Sequence, residues 1–222
     1  MAVTIAVMSA GDGYSYFMKS VASADVDRPM STPLTRYYTE TGTPPGRWAG
    51  AGVESLGSAE LGRLLVGGSV TEEQMARLAG KGLDPVTGEQ LGRAYPVYGP
   101  GKGGKPRRAV AGYDFTFALP KSASILWGVS DAGVQEQIVA VHRAAVVKVF
   151  ELMERELAVT RTGASVAGNA ASESGEGGAV AQVSVTGLIG MFFDHWDSRA
   201  NDPHLHTHVV VSNKVKTLLE GP

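Results

Sequence analysis

The sequence predicts an α+β domain, and three observations carry that expectation. Residues 113–117 alternate strictly, with Tyr113, Phe115 and Phe117 on one side and Asp114 and Thr116 on the other, the period of a β-strand. Two apolar, β-compatible runs, "VSVTGLIGMFFDH" and "HLHTHVVVSNKV", are separated only by the turn-rich "DSRANDP", which predicts an antiparallel hairpin. Residues 131–157 form the longest helical pattern in the chain.

In chain order, "MAVTIAVMS" is β-branched and apolar and reads as a strand. "GYSYFMKSVAS" has helix-compatible spacing, and residues 23–50 are a Pro- and Gly-rich loop region. "SAELGRLLVG" and "TEEQMARLAG" predict two short helices, the second capped by Thr71 and stopped at Gly80. "YPVYGPGKGGKPRRAV" is a glycine-rich loop. In the long helix, Ile138, Val141, Ala145, Val149 and Leu152 keep the spacing of a core-facing stripe, and His142 lies within it as an ordinary helix histidine. "NAASESGEGGAVAQ" is a flexible excursion before the hairpin.

Composition narrows the function. The chain has 222 residues, 43% hydrophobic and 19% charged, enough to bury a real core. With no cysteine there is no disulfide, thiolate metal site or cysteine nucleophile. The apolar start stops at Gly11 and Asp12 and lacks a basic lead, so it is not a signal peptide, and no apolar run approaches a membrane span. The expected setting is the cytoplasm, with no membrane partner. A net charge of −2 offers no global attraction for nucleic acid. Locally, Lys102, Lys105, Arg107, Arg108 and Lys121 face only Asp114, a segment that suits either phosphate or solvent. "GPGKGGK" lacks the spacing of a phosphate-binding loop.

The histidines carry the chemistry. "DPHLHTHVVVSN" holds His204, His206 and His208 at alternate positions. On a strand, His206 and His208 share a face about 6.5–7 Å apart, with Thr207 opposite. Two such imidazoles can converge on one cation, but a third ligand must come from a neighbouring element, because one extended strand cannot bend three around an ion. His195, on the partner strand about 4.8 Å away, is better placed than His204. Asp114 could accept the second ring N–H of a ligand histidine. The competing reading is an amphipathic strand with no ligand role. Three nitrogens would leave coordination positions open, as in catalytic rather than structural sites.

The tyrosines are the second constellation: Tyr14 and Tyr16, then Tyr37 and Tyr38. Clustered tyrosines commonly serve packing. A phenol can also be a nucleophile, given a polarised electrophile to attack.

"GYSYF", "LTRYYTETGTPPGRWAGAGVESLG", "YDFTFALPKSAS" and "FFDHWDSRANDPHLHTHVVVSNKV" together resemble the MobF class of conjugative relaxases, the TrwC/TraI type of the HUH endonucleases. The resemblance runs in order from about residue 1 to residue 216, and the block from Asp194 to Lys214 is its most specific part. It implies a central antiparallel sheet flanked by helices in a palm-like α+β fold. It also implies an enzyme that nicks one DNA strand at a plasmid origin of transfer through a 5′-phosphotyrosine link. His195, His206 and His208 match the family's ligands for a divalent cation, Mg²⁺ or Mn²⁺, and Asp114 matches its supporting aspartate. The first nucleophile matches Tyr16, with Phe17 where relatives carry a further tyrosine, a departure that leaves Tyr14 in competition. The second catalytic tyrosine matches Tyr37, beside Tyr38. Lys121 and Ser122 fall where relatives approach the DNA. The implied partners are single-stranded origin DNA and other relaxosome and coupling proteins.

Relatives extend well past residue 222, so the expectation is a relaxase domain over 1–222 that belongs to a longer chain. Two rivals remain. A rolling-circle replication initiator would place its tyrosine on a helix after the histidine strand, where no tyrosine follows Asn213. A DNA-binding module without nicking activity would need no histidine cluster. Trp48, Trp127 and Trp196 could stack on bases, although buried packing is the better reading for each.

Overall fold

The computed structural model describes residues 1–18, 43–99, 107–162, 181–198, 200 and 202–218. Its spine is a five-stranded, wholly antiparallel sheet in the order β1-β5-β9-β8-β2. The strands are β1 (Ala2–Ser9), β2 (Arg47–Ala49), β5 (Val110–Ala118), β8 (Gly190–Asp197) and β9 (Pro203–Ser212). Two small two-stranded ribbons stand apart: β3 (Gly57–Ser58) with β4 (Gly62–Arg63), and β6 (Val159–Thr162) with β7 (Ala181–Ser184). The helices are α1 (Ser15–Met18), α2 (Glu72–Met75), α3 (Lys121–Val129) and α4 (Ala132–Leu157), with a 3₁₀ turn at Asp12–Tyr14 leading into α1. The predicted hairpin is β8–β9, and the histidine strand β9 becomes the middle strand of the sheet.

Strand alternation divides the core in two. One face carries Met191, Phe193 and Val210, packed with Met8, Phe17, Trp48, Met75 and Leu78 from β1, α1, β2 and the α2 region. The opposite face carries Phe117, Phe192, Val209 and Val211, covered by Val146 and Phe150 of α4. The end of the sheet is closed by Trp127 of α3, stacked on Trp196 with ring centroids 5.4 Å apart. All three tryptophans are buried in packing, so none offers a ring to a nucleic-acid base.

Three local expectations change. "SAELGRLLVG" is not a helix: Gly57 and Gly62 take φ of +87° and +88°, which a helix cannot include, and the chain folds back as the β3–β4 ribbon. Leu61 and Leu65 are exposed as a result. Arg47–Ala49, inside the expected loop region, pairs with β8 as the outer strand. The helix from Thr71 does have its capping box, Thr71 with Gln74, but it continues as a π-helical stretch, Ala76–Lys81, and ends at Gly82 rather than Gly80.

Helix α4 is capped by Asp131, which accepts from Val134 N at 3.0 Å, but it buries a stripe displaced from the expected one. Ala132, Gln135, Val139, His142, Val146 and Phe150 face the sheet, whereas Val141 is 72% exposed and Leu152 47% exposed. Two apolar stripes lie side by side on this helix. The sheet takes the one whose polar members find partners: Gln135 Nε2 donates to the Trp127 carbonyl at 2.9 Å, and His142 meets Thr207. Among the described residues, no helix is long and apolar enough to cross a membrane.

Candidate metal and nucleophile site

The register of the sheet builds the site. His195 of β8 pairs directly with His206 of β9, and Thr116 of β5 pairs with His208. Pleat alternation sends the three histidines to one face. Their ring centroids are 4.9 Å (His195–His208), 5.1 Å (His206–His208) and 5.3 Å (His195–His206) apart. One nitrogen from each lies within 4.8 Å of the others. His204, at the mouth of β9, stands beside His206 with ring centroids 5.1 Å apart and is not one of the converging three.

Hydrogen bonds orient two of the rings. His208 Nδ1–H donates to Asp114 Oδ2 at 2.8 Å, and Thr116 Oγ1 lies 3.2 Å from the same nitrogen. The opposite nitrogen, His208 Nε2, is buried without a hydrogen-bond partner and faces the cluster. His206 Nδ1–H donates to the His204 carbonyl at 2.7 Å, which leaves its Nε2 a bare lone pair. Burial pushes His195 down to about 3, with His208 and His206 adding to the shift. Burial likewise lowers His206 to about 4, against the raising effect of the His204 carbonyl. Converging imidazoles, two of them kept neutral by burial and the third with an orphaned buried nitrogen, are a donor set suited to a divalent cation.

The N-terminal tyrosines separate. Tyr16 of α1 lies over the cluster, its ring centroid 5.6 Å from His208 and 5.9 Å from His195, and it is 45% exposed. Phe17 is 4% exposed, stacked on Phe193 at 5.4 Å and edge-on to His208 at 5.3 Å, so its side chain anchors α1 against the sheet. Tyr14 points elsewhere and packs beside Gly80 of the π-helical stretch. Tyr37 and Tyr38 lie outside the described residues. Lys121 Nζ pairs with Asp202 and also reaches the Pro203 carbonyl at 3.1 Å, tying α3 to the hairpin loop.

One feature of the site was not legible in sequence. Behind the histidines, on the α4 face, Asp194 accepts from Thr207 Oγ1 at 2.6 Å, Arg143 Nε at 2.8 Å and Arg47 Nη2 at 3.0 Å. Burial alone would raise the Asp194 carboxyl, but Arg143, Arg47 and the Thr207 bond hold it below the usual carboxylate range. The two arginines also edge a cleft of about 370 Å³ between α4 and β2, on the face away from the histidines.

The class defined by this fold and cluster agrees with the comparisons. The family model described as TrwC relaxase matches residues 10–221, and the chain belongs to the TrwC relaxase family. It is similar to the multifunctional conjugation protein TraI of Escherichia coli, 33% identical over 183 residues, which is 80% of this chain and 8% of that protein. Its fold matches the conjugative relaxase TrwC in complex with oriT DNA in a metal-bound structure, with a TM-score of 0.57 and 21% identity. That alignment covers 97% of this chain and 61% of TrwC. TrwC with a 27-mer DNA comprising the recognition hairpin and the cleavage site matches at a TM-score of 0.54 and 20% identity, over 97% of this chain and 59% of TrwC. The chain thus spans a small fraction of the curated relative and about three-fifths of the solved domains.

Proposed function

We propose that residues 1–222 form a relaxase domain that cleaves and rejoins single-stranded DNA at a plasmid origin of transfer, with Tyr16 as the nucleophile of the first cleavage. The observation that carries this reading is the placement of the Tyr16 ring within 6 Å, centroid to centroid, of both His208 and His195. Family membership supports the reaction class, and the oriT-bound TrwC structures support origin-of-transfer DNA as the substrate.

His195, His206 and His208 would hold a divalent cation, Mg²⁺ or Mn²⁺. When bound, such an ion partly neutralises the scissile phosphate and makes its phosphorus more electrophilic. The chain's own residues do the rest. Asp114 keeps the proton on His208 Nδ1 and so keeps Nε2 turned inward. Phe17 holds α1 so that the Tyr16 phenol stands over the histidines. As the Tyr16 proton leaves, the Oη–phosphorus bond forms and the bond from phosphorus to the 3′ oxygen breaks. The products are a 5′-phosphotyrosine and, once that oxygen is protonated, a free 3′-OH. Attack by a 3′-OH on the phosphotyrosine reverses the step and reseals the strand. Tyr37, beside Tyr38, serves the second transesterification. The protein acts in the cytoplasm with other relaxosome and coupling proteins.

The test is a nicking assay on a single-stranded origin oligonucleotide. The expected product is a covalent adduct that forms with Mn²⁺ or Mg²⁺ and is lost with chelator. Tyr16→Phe should lower adduct formation by about 1,000-fold or more, while Tyr14→Phe leaves it largely intact. An adduct that survives Tyr16→Phe and disappears in Tyr14→Phe would overturn the nucleophile assignment. DNA binding unchanged by chelator, with no adduct from any variant, would favour a non-catalytic DNA-binding module.

A further inference from the structure

The cross-strand pair Asp194–Thr207 sits between two pairs that supply the histidines. His195–His206 lies on one side of it and Phe193–His208 on the other. Because successive residues alternate faces, Asp194 and Thr207 project away from the cluster, toward α4. Their bonding there is continuous. Thr207 Oγ1–H is donated to Asp194 Oδ1 at 2.6 Å, so the Thr207 oxygen accepts from His142, whose Nε2 is 2.9 Å away. That assigns the His142 proton to Nε2 and leaves Nδ1 without a partner, as observed. Asp194 Oδ2 takes Arg143 from the same helix and Arg47 from β2. The side chains of Asp194, Thr207 and His142 are each at least nine-tenths buried by residue exposure, at 4%, 1% and 2%.

We propose that this cluster, His142, Arg143, Asp194 and Thr207, is a positioning device for the three histidines, locking β8 against β9 at the register that makes them converge. The inference rests on the reading of those histidines as metal ligands. The register needs such a lock, because a slip of one residue between β8 and β9 would turn a whole strand's side chains to the wrong face. Apolar contacts do little to forbid it locally: Val209, Val210 and Val211 are buried on both faces of the strand, and burial is non-directional. The hydrogen bonds can, since a slipped Thr207 would leave a buried carboxylate and a buried imidazole without their partner. The same bonds join α4 and β2 to the hairpin at this one rung, so two elements hold the ligand strands from behind.

The experiment is Mn²⁺ binding by calorimetry to the folded chain, with thermal unfolding of each variant measured without metal. Thr207→Val keeps the shape and removes the hydroxyl, and Asp194→Asn keeps the shape and removes the charge. Both should weaken Mn²⁺ binding on the order of 10-fold, and Thr207→Ser, which restores the hydroxyl, should bind as the wild type does. Val146→Ala, which removes apolar packing from the same α4 interface, should lower the unfolding midpoint but leave Mn²⁺ affinity unchanged. Wild-type affinity in both Thr207→Val and Asp194→Asn would overturn the positioning role alone. So would an equal loss in Val146→Ala, because the effect would then be general destabilisation. Failure of the wild-type chain to bind Mn²⁺ would instead overturn the metal reading itself, and this inference with it.

Discussion

The two faces of the β8–β9 hairpin solve opposite problems with the same backbone. On the histidine face, His208 Nε2 is buried with no partner, and His195 and His206 are held neutral by burial. On the α4 face, both oxygens of Asp194 are engaged by Thr207, Arg143 and Arg47. The histidine face keeps a bare nitrogen among converging imidazoles, whereas the α4 face commits both carboxylate oxygens of Asp194 and leaves only His142 Nδ1 of that cluster unpaired. Unsatisfied buried polar atoms cost stability, so the open face is tolerable only where the closed face is well made. The difference teaches which polar burial to read as a site: an orphaned nitrogen among converging imidazoles, rather than the most extensively bonded carboxylate.

The comparison breaks first if the histidine face is not a ligand set. His208→Ala should weaken Mn²⁺ binding by more than about 100-fold, beyond the 10–100-fold typical of groups that merely orient ligands. It should also lower stability, because the change leaves the largely buried Asp114 carboxylate without the His208 Nδ1–H. Calorimetric titration of the variant against the wild type measures this, and undiminished affinity would show that the cluster is a histidine-rich core instead.

The next effect belongs to the closed face. Asp194→Ala leaves two guanidinium groups without their shared anion and should destabilise the domain by about 3 kcal/mol. Arg143→Ala should cost nearer 1 kcal/mol, since Arg47 still pairs with Asp194 and the Arg143 side chain is 35% exposed, where solvent screens the pair. Denaturant unfolding of the two variants gives both numbers. Equal losses would mean that Asp194 acts through packing rather than charge.

The smallest effect sharpens the contrast through pH. His195 and His206 have folded-state values near 3 and 4, below the ordinary histidine value of about 6.5. Between those limits the unfolded chain binds more protons than the folded one, so stability without metal is fullest above about pH 6.5 and falls as the pH drops toward 4. The thermal midpoint of the metal-free domain should therefore decline across that window. Replacing His195 with Asn should flatten the decline, and an unchanged slope in that variant would assign the acid sensitivity to other groups, such as buried His142.

Much of this was legible in the residues. Strand alternation placed His206 and His208 together with Thr207 opposite, and the short connection made the hairpin that brings His195 across from them. Asp114 stood out as a carboxylate on an aromatic strand, and it does meet His208. What was missed has physical causes. Helix α4 carries two adjacent apolar stripes, and periodicity cannot say which one meets a sheet formed by distant residues. Gln135 did not stand out and His142 read only as an ordinary helix histidine, because their partners, the Trp127 carbonyl and Thr207, are 8 and 65 positions away. The Asp194 cluster joins β2, α4 and the hairpin, with Arg47 separated by 147 positions and no spacing rule to connect them.

By itself, then, the sequence determined which residues could be ligands, because a two-residue period and a tight connection are local geometry that any extended hairpin must obey. It also carried the motifs by which the chain belongs to the TrwC relaxase family. The separation of Tyr16 from Tyr14 was decided only in three dimensions. They are two residues apart, but the turn from the 3₁₀ segment into α1 sends one ring to the histidines and the other to Gly80. Tertiary structure alone also decided what stands behind the histidine face, because a buried charge is stable only where distant elements converge to complete its hydrogen bonds.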